Sequence, residues 1–288
     1  MLESGGKRAR PILTAYCADP ANVDESVWLP PAAAVELLHT FTLVHDDIMD
    51  NAATRRGRPT IHVAFGLNTA ILAGDTIVAL ALESLSKSDS PQIAEMTAEF
   101  GLAFRGVCEG QALDKDFENR DEVSLEEYLE MIELKTSRIF ELAAVLGALA
   151  GGAINLENYR LFARHIGLAF QLQDDLLDLT GGPEFGKTIG GDILEGKRSV
   201  LFVLAMESYG ETVGKDRAML DRLRERRANA EDIPPIRSLF ARIGVLEKAA
   251  SMAKDCTDRA MEHLLQIDNA ESRENLIAFS QLLLGRAT

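Results

Sequence analysis

The stretch FQLQDDLLD, residues 170–178, places four polar side chains along one face of a helix. Gln171, Asp174, Asp175 and Asp178 stand at positions i, i+3, i+4 and i+7, which is the helical repeat. The surrounding residues are mostly Leu, Phe and Ala, so the segment otherwise has the character of a core helix. Because acidic side chains are rarely buried without a partner, the stretch predicts a helix whose carboxylates need a cation.

A second acidic cluster lies in HTFTLVHDDIMD, residues 39–50. On a helix Asp46 and Asp50 lie one turn apart, His39 lies two turns before Asp46 on the same face, and Asp47 flanks them. Like charges at this spacing destabilise a helix unless something neutralises them. A single cluster of this kind is ordinarily interpreted as a solvated acidic face. Two copies in apolar helices instead favour a magnesium site, because magnesium binds one or two carboxylates together with phosphate oxygens and water. We predict a two-sided magnesium–diphosphate clamp.

Helical periodicity dominates the rest of the chain. A capping-box pattern at Ser124 predicts one helix start, and Pro30 and Pro31 are placed at the start of another. Strand-like alternation and long linkers are absent from the sequence. We therefore predict an all-α fold, one antiparallel helical bundle in a single domain over 1–288. The predicted helices cover about 31–50, 61–86, 91–118, 124–153, 157–179, 197–209, 215–228, 244–266 and 271–286.

The charge of the chain constrains its partners. Thirty basic and 45 acidic residues give a formal net charge of −15, a field that repels nucleic acid and anionic membranes. Three scattered cysteines, Cys17, Cys108 and Cys256, fit neither a disulfide framework nor a zinc site. No apolar run approaches the roughly 20 residues of a membrane span, and the N-terminus lacks the apolar core of a signal peptide. The sequence predicts a soluble, cytoplasmic protein.

Positive charge gathers at four places that could offset this field locally. They are GGKRARP (5–11), RRGRP (55–59), Lys135-Thr136, and the pair Lys187 and Lys197 at the glycine-rich stretch 181–192. Each alone is ordinarily a surface feature. Their occurrence together with two aspartate clusters favours diphosphate recognition, which uses Arg forks, Lys charges and metal.

These motifs together resemble the trans-isoprenyl diphosphate synthases, the polyprenyl synthetase family of farnesyl and geranylgeranyl diphosphate synthases. The resemblance runs in order from Gly5 to about Lys197, through GGKRARP, HDDIMD with RRGRP, ILAGD (71–75), GQALD (110–114), YLEMIELKT (128–136), FQLQDDLLD and the GK…GGD…EGKR stretch. It implies an isoprenoid synthase bundle around a central cavity, usually a homodimer. It also implies magnesium-assisted condensation of isopentenyl diphosphate with an allylic diphosphate (dimethylallyl, geranyl or farnesyl).

The resemblance also implies roles for individual residues. Those matching the isopentenyl diphosphate site are Lys7, Arg10, His39 and Arg56. Those matching the ligands of two or three Mg²⁺ ions are Asp46, Asp50, Asp174 and Asp178, with Asp47 and Asp175 as supporting carboxylates. Those matching contacts to the allylic diphosphate are Arg55, Lys135, Thr136, Gln171, Lys187 and Lys197. The resemblance further implies that Arg55 and the Lys135 charge act on the leaving diphosphate, while oriented dipoles of Lys135, Thr136 and Gln171 stabilise the transient allylic cation.

Product length is expected to depend on residues just before the first cluster. Phe41 lies five residues before Asp46, about 7.5 Å down the helix axis, and Thr42 lies four before it. An aromatic and then a small residue at these positions, with no insertion in DDIMD, resemble archaeal geranylgeranyl synthases. We predict a C20 product, with C15 or a mixture as the alternative. Phe41 has core packing as its other interpretation.

Three other functions fit the sequence less well. A terpene cyclase would keep one aspartate cluster and lack GGKxxRP, a regulatory synthase subunit would lose aspartates, and a structural helical protein would leave the carboxylates unexplained. Family chains usually carry a helix before GGKxxRP. This chain begins almost at that motif, which leads us to expect a shortened N-terminus.

Overall fold

A computed structural model describes residues 7–181 and 189–285 of the chain. Lys187 and the first two residues of GGKRARP lie outside these ranges. The described residues are 77 % helical, with almost no strand, which confirms the predicted all-α class. The exception is a short antiparallel hairpin, β1 (Thr54–Arg55) and β2 (Arg58–Pro59).

The helices follow one another with short connections. Before the second cluster they are α1 (Ala9–Ala18), α2 (Glu25–Met49), α3 (Ile61–Phe65), α4 (Leu67–Leu85), α5 (Ile93–Phe117), α6 (Leu125–Ile132), a π-helix (Glu133–Ser137) and α7 (Arg138–Ala150). The rest are α8 (Glu157–Thr180), α9 (Gly191–Leu194), α10 (Val200–Glu207), α11 (Gly214–Arg224), α12 (Ile233–Arg242), α13 (Val245–Leu264) and α14 (Ala270–Leu284). Single 3₁₀ turns lie at Tyr209–Glu211 and Ala230–Asp232.

Several predicted boundaries need correction. The predicted helix 31–50 begins at Glu25, where the Asp24 side chain accepts a hydrogen bond from the Ser26 N–H. The predicted helix 61–86 is divided at Gly66, whose φ of 89° lies outside the helical region. The predicted helix 124–153 starts with the expected capping box at Ser124 but contains the π-helix. The helices α1, α9 and α12 were not predicted.

The chain forms two compact units. Unit 1 comprises Met1–Val107, Ile139–Ala163 and His263–Phe279, and unit 2 comprises Cys108–Arg138, Arg164–Glu262 and Ser280–Thr288. In unit 1, α2 packs against both α1 and α4. Its fully buried side chains include Leu13, Val35, Leu38, Phe100 and Phe140. The core of unit 2 includes Tyr128, Leu172, Phe202, Leu220 and Phe240.

Two helices of unit 1 are long and apolar enough to cross a membrane when judged by length and composition alone. These are α2 and α4, which corrects the expectation that no apolar run approaches that length. In α2 the apolar residues serve the core, whereas α4 buries only Ala70, Gly74, Ala81 and Leu85. The apolar side of α4 that stays exposed therefore needs another explanation.

Two prolines lie inside α2 because other groups use the carbonyls that they leave free. Proline has no N–H, so Pro30 and Pro31 cannot bond the carbonyls one turn earlier. The Ser26 carbonyl instead accepts the Asp89 N–H at 3.1 Å. The Val27 carbonyl accepts the Ser88 hydroxyl at 2.6 Å. The segment after α4 thus supplies the donors that let α2 continue through both prolines.

Removing the Ser88 hydroxyl should therefore destabilise unit 1. We expect Ser88→Ala to lower the free energy of unfolding by about 1–3 kcal/mol, because the partly buried Val27 carbonyl loses its donor. Urea unfolding followed by circular dichroism measures this. In a Pro31→Ala background the backbone regains an N–H that can bond the Val27 carbonyl, so the same substitution should cost much less. Ser86→Ala, which removes a hydroxyl bonded only to the Glu83 carbonyl at 2.8 Å, is the control. An equal cost of Ser88→Ala in both backgrounds would contradict this explanation.

Candidate functional site: two aspartate clusters and a cationic group

The first aspartate cluster lies at the C-terminal end of α2 in unit 1. Asp47 is only 2 % exposed, whereas Asp46 and Asp50 are partly exposed. The Arg55 Nε donates to Asp47 Oδ1 at 2.7 Å. Burial raises the pKa of Asp47, and the Arg55 hydrogen bond opposes that rise. Asp47 Oδ2 is buried with no hydrogen-bond partner among the described residues, so this end of α2 could accept a cation or its water.

The RRGRP stretch forms the hairpin that carries Arg55. Arg56 and Gly57 form its turn with φ of 52° and 73°, the positive pair that a tight hairpin turn requires. A non-glycine residue in this region costs roughly 1–2 kcal/mol. Thr60 holds the hairpin base, because its hydroxyl donates to the Ala52 carbonyl at 2.7 Å. The hairpin thus directs consecutive arginines to different places, with Arg55 on Asp47 and Arg56 exposed.

His39 lies on α2, two turns before Asp46, and the positive charges of four arginines from other segments act on it. Burial and the positive charges of Arg10, Arg56, Arg55 and Arg8, in that order, hold the pKa of His39 well below its usual range. His39 is therefore neutral at physiological pH and can accept a hydrogen bond. The structure thus brings three of the four predicted isopentenyl diphosphate residues into one group. The fourth, Lys7, is exposed just before α1.

Arg10 and Arg8 are held by neighbours in unit 1. The Arg10 guanidinium lies over the Phe140 ring, 4.7 Å from its centroid. Burial lowers the pKa of Arg10 to about 10, and the negative charge of Glu36 opposes that shift, so Arg10 stays charged at pH 7. Arg8 forms an ion pair with Glu36. A left-handed residue, Arg8 with φ of 48°, leads into α1 and accounts for the sharp entry of GGKRARP into that helix.

The two predicted product-length residues both lie a little more than one turn before Asp46. The Phe41 ring packs on His45 at a centroid distance of 4.4 Å and edge-on against Phe104 at 5.4 Å. The Thr42 hydroxyl donates to the His39 carbonyl at 2.8 Å. Gly74 explains part of the ILAGD motif, because an added Cβ would lie 2.2 Å from the His45 ring.

The second aspartate cluster lies near the end of α8 in unit 2. Like the first cluster, it contains one buried and two partly exposed aspartates. Asp175 is 4 % exposed, whereas Asp174 and Asp178 are partly exposed. Asp175 Oδ2 accepts the Tyr128 hydroxyl at 2.6 Å and the Val200 N–H at 2.9 Å. Asp175 Oδ1 accepts the Gln171 Nε2 at 2.8 Å.

The environment of Asp175 acts on its ionisation in two directions. Burial and the negative charge of Asp192 raise the pKa of Asp175 to about 7. The hydrogen bonds from Tyr128, Gln171 and Val200 lower it. The same burial and the Asp175 charge raise the pKa of Tyr128 well above its usual value, so its phenol remains a donor.

The π-helix positions Lys135 and Thr136 in unit 2. The Thr136 hydroxyl donates to Gln171 Oε1 at 2.8 Å, and Lys135 Nζ lies 2.5 Å from Asp114 Oδ2. Two glycines of neighbouring helices allow this close packing. A Cβ on Gly110 would lie 2.5 Å from the Lys135 nitrogen, and one on Gly167 would lie 2.6 Å from the Ser137 Cα. Since π-helical turns often occur at functional sites, the segment fits its predicted role.

The remaining predicted residues lie near the glycine-rich stretch. Gly190 adopts φ of 74°, and the Asp192 N–H donates to Asp178 Oδ2 at 3.2 Å. Lys197 Nζ lies 2.9 Å from Glu195 Oε2 and 4.0 Å from Asp192 Oδ1. Lys187 is outside the described residues, so its predicted contact stays a prediction.

The acidic clusters suit a metal that brings some of its own ligands. Among the residues described, no three His, Cys, Asp or Glu side chains converge as a ready-made metal cage. Magnesium does not need one, because it binds through one or two carboxylates plus phosphate oxygens and water. Each cluster offers two partly exposed carboxylates, and the buried Asp47 oxygen adds a polar atom that lacks a partner. The residues present therefore fit magnesium carried in with a diphosphate.

Sequence reasoning missed four contributors to these clusters. Asp114, Tyr128 and Gly110 belong to the motifs GQALD and YLEMIELKT, but their position in these motifs alone assigns them no role. Gly74 belongs to ILAGD in the same way. Their motif membership was the available signal.

Comparisons with known proteins identify the family of the chain. The polyprenyl synthetase family model matches residues 1–239. A geranylgeranyl pyrophosphate synthase of Geoglobus acetivorans is 38 % identical over 99 % of this chain and 88 % of its own. A geranylfarnesyl diphosphate synthase of Natronomonas pharaonis is 35 % identical over 100 % of this chain and 88 % of its own.

A solved structure extends the likeness to the fold. The crystal structure of a geranylgeranyl pyrophosphate synthase matches with a TM-score of 0.90 and 36 % identity, over 99 % of this chain and 89 % of that one. The predicted isoprenoid synthase fold type is thereby confirmed. The predicted resemblance is confirmed as well, and the chain belongs to the polyprenyl synthetase family of prenyl-transferring enzymes.

Proposed function

We propose that this protein is a short-chain prenyltransferase that condenses isopentenyl diphosphate with an allylic diphosphate and releases mainly geranylgeranyl diphosphate. The observation that carries the proposal is the arginine group around His39, two turns before Asp46. A chain of net charge −15 concentrates cations there, beside carboxylates that suit magnesium. Such a pairing of Arg forks with metal-binding carboxylates matches a diphosphate.

The two units supply different parts of the reaction. In unit 1, Lys7, Arg10, His39 and Arg56 hold the diphosphate of isopentenyl diphosphate, and neutral His39 can donate its ring N–H to a diphosphate oxygen. Arg55 supports the allylic diphosphate and keeps Asp47 charged. Asp46 and Asp50 would hold magnesium in unit 1, and Asp174 and Asp178 would hold magnesium in unit 2, with two or three ions expected in all. Bound magnesium would supply charge neutralisation to a diphosphate.

The chemical step places an allylic cation near oriented dipoles. As the C–O bond of the allylic diphosphate breaks, Lys135 stabilises the departing oxygen, with Lys187 and Lys197 as further cations. The Thr136 hydroxyl and the Gln171 amide offer oxygen atoms to the cation, and such preorganised dipoles are usually a large part of catalysis. The double bond of isopentenyl diphosphate attacks the cation. Proton loss to the released diphosphate then restores a double bond.

A product assay tests the proposed function. Purified protein with magnesium, labelled isopentenyl diphosphate and each of the C5, C10 and C15 allylic diphosphates should give magnesium-dependent elongation with C20 as the main product. Chelation should abolish the activity, and readdition of magnesium should restore it. A folded sample that elongates none of the primers would point to the regulatory-subunit function, and a cyclised hydrocarbon would point to a terpene cyclase.

For product length we propose that Phe41 forms the floor that stops the growing chain, with Thr42 beside it. The two named synthases above differ by one isoprene unit, since one is a C20 and the other a C25 synthase by name. Product length therefore depends on local features within the family. The Phe41 ring is fixed by His45 and Phe104, so it could resist a prenyl tail.

Shortening Phe41 should lengthen the product. We expect Phe41→Ala to shift the main product by at least one isoprene unit, as chromatography of the dephosphorylated products would show. Phe100→Ala, at a buried phenylalanine of the same unit, controls for loss of core packing and should leave product length unchanged. Products of unchanged length from a folded Phe41→Ala enzyme would leave Phe41 with a packing role only.

We further propose a soluble, cytoplasmic homodimer. The supporting observation is the exposed apolar side of α4, where Leu67 and Leu72 are 53 % and 65 % exposed and Ile71, Leu80 and Leu82 are also exposed. Several large apolar side chains exposed on one helix are a feature that often marks a protein–protein interface. The net charge of −15 also favours solution over an anionic membrane or nucleic acid.

A charge placed on this side of α4 should split the dimer. We expect Leu72→Glu to convert the protein from dimer to monomer, measured by light scattering coupled to gel filtration. Leu265→Glu, at a leucine that is 62 % exposed outside α4, should remain dimeric. A dimeric Leu72→Glu protein, or a monomeric wild type, would contradict this placement.

A further inference from the structure

Asp175 has each of its oxygens engaged by protein donors. Oδ2 takes the Tyr128 hydroxyl and the Val200 N–H, and Oδ1 takes the Gln171 amide. Val200 is the first residue of α10, so its N–H is one of the donors that a helix start leaves without an intrahelical partner. The positive end of the α10 dipole therefore also favours a negative charge at Asp175.

This arrangement decides how the Gln171 amide is turned. The Gln171 Nε2 lies 2.8 Å from Asp175 Oδ1 and donates to it, so the Gln171 NH₂ faces Asp175. The amide oxygen must then face Thr136, whose hydroxyl lies 2.8 Å away and can only donate to it. With its proton directed at Gln171, the Thr136 oxygen keeps its lone pairs for another partner. The hydrogen-bond chain therefore has a single polarity, from Thr136 through Gln171 to Asp175.

We propose that Asp175 and Tyr128 are positioning residues that set the polarity of this chain, so that oxygen atoms of Thr136 and Gln171 face the allylic cation. The inference rests on the proposed function and assigns Asp175 a role other than magnesium binding. Tyr128 fixes the Asp175 carboxylate, and Asp175 fixes Gln171. Neither residue touches the substrate.

The division between inner and outer aspartates supports this assignment. In both clusters the residue after the first aspartate is buried and bonded by the protein, Asp47 by Arg55 and Asp175 by Tyr128. Asp174 and Asp178 are the partly exposed members of the second cluster. A metal bound to Asp175 would have to reach a carboxylate that is only 4 % exposed and already accepts three hydrogen bonds of 2.6–2.9 Å inside the core of unit 2.

Two substitutions separate orientation from mere packing. Asp175→Asn keeps the shape and the number of hydrogen bonds, but its oxygen stays with Tyr128 and Val200, so its NH₂ faces Gln171. The Gln171 amide must then rotate so that its NH₂ faces Thr136. This rotation reverses the direction of the hydrogen bonds between Thr136, Gln171 and residue 175. Tyr128→Phe removes only the hydroxyl that fixes the carboxylate.

The kinetic test compares kcat, KM and the magnesium requirement. We expect Asp175→Asn to lower kcat at least about tenfold and Tyr128→Phe to lower it several-fold. The reason is that dipoles oriented towards the charge that develops in the transition state contribute strongly to its stabilisation. The KM for isopentenyl diphosphate and the magnesium concentration for half-maximal activity should stay within about twofold of wild type, since neither residue is proposed to bind them. Tyr209→Phe is the matched control, because it removes another tyrosine–aspartate hydrogen bond. This bond joins Tyr209 to Asp221 and is not part of the hydrogen-bond chain from Thr136 to Asp175.

A binding measurement completes the test without turnover. Calorimetry with magnesium and inorganic diphosphate should give Asp175→Asn an affinity within about twofold of wild type, while Asp174→Asn should bind at least about tenfold more weakly. Loss of this binding in Asp175→Asn would make Asp175 a metal ligand and overturn the inference. Wild-type kcat in both Asp175→Asn and Tyr128→Phe would overturn it too. A wild-type protein without elongation would instead overturn the proposed function on which the inference rests.

Discussion

The structure depends on the rule that a carboxylate taken out of water must be matched by donors or positive charge. Removing such a group from water unpaired costs several kcal/mol or neutralises it. Asp47 meets the rule through the Arg55 guanidinium, and Asp175 meets it through a tyrosine, an amide and a helix start. Asp175 has both oxygens engaged in this way, Asp47 has only Oδ1 engaged, and the partly exposed outer aspartates are left for metal and substrate.

This division explains why the surroundings of each cluster are built as they are. Arg55 reaches Asp47 only because the hairpin turn places Arg56 in the left-handed region. In unit 2, Thr136 reaches Gln171 because the π-helix packs closely against Gly110 and Gly167, where a side chain would collide. The left-handed conformation of Arg56 and the lack of a side chain at Gly110 and Gly167 thus allow a few polar atoms to be placed.

Much of this organisation could be predicted from the sequence, because it depends on local patterns. The polar stripe of residues 171–178 predicted its helix, and the capping box at Ser124 predicted a helix start that the structure contains. Each of these features is encoded within a few turns of chain.

The rest depends on partners distant in sequence. The prolines of α2 led to a helix start placed too late, because their effect is offset by Ser88 and Asp89, about 60 residues away. The π-helix has no periodic signature, and its register is set by glycines on other helices. The pairing of Tyr128 with Asp175 joins residues 47 positions apart, so neither motif alone predicts it.

The central claim is that burial assigns different tasks to adjacent aspartates. A crystal structure of the protein with magnesium and an unreactive thio-analogue of an allylic diphosphate tests it most directly. The account predicts metal ions bound through Asp46, Asp50, Asp174 and Asp178, with Asp47 still on Arg55 and Asp175 still on Tyr128 and Gln171. A magnesium ion bound directly to Asp175, with the Tyr128 hydroxyl displaced, would contradict it.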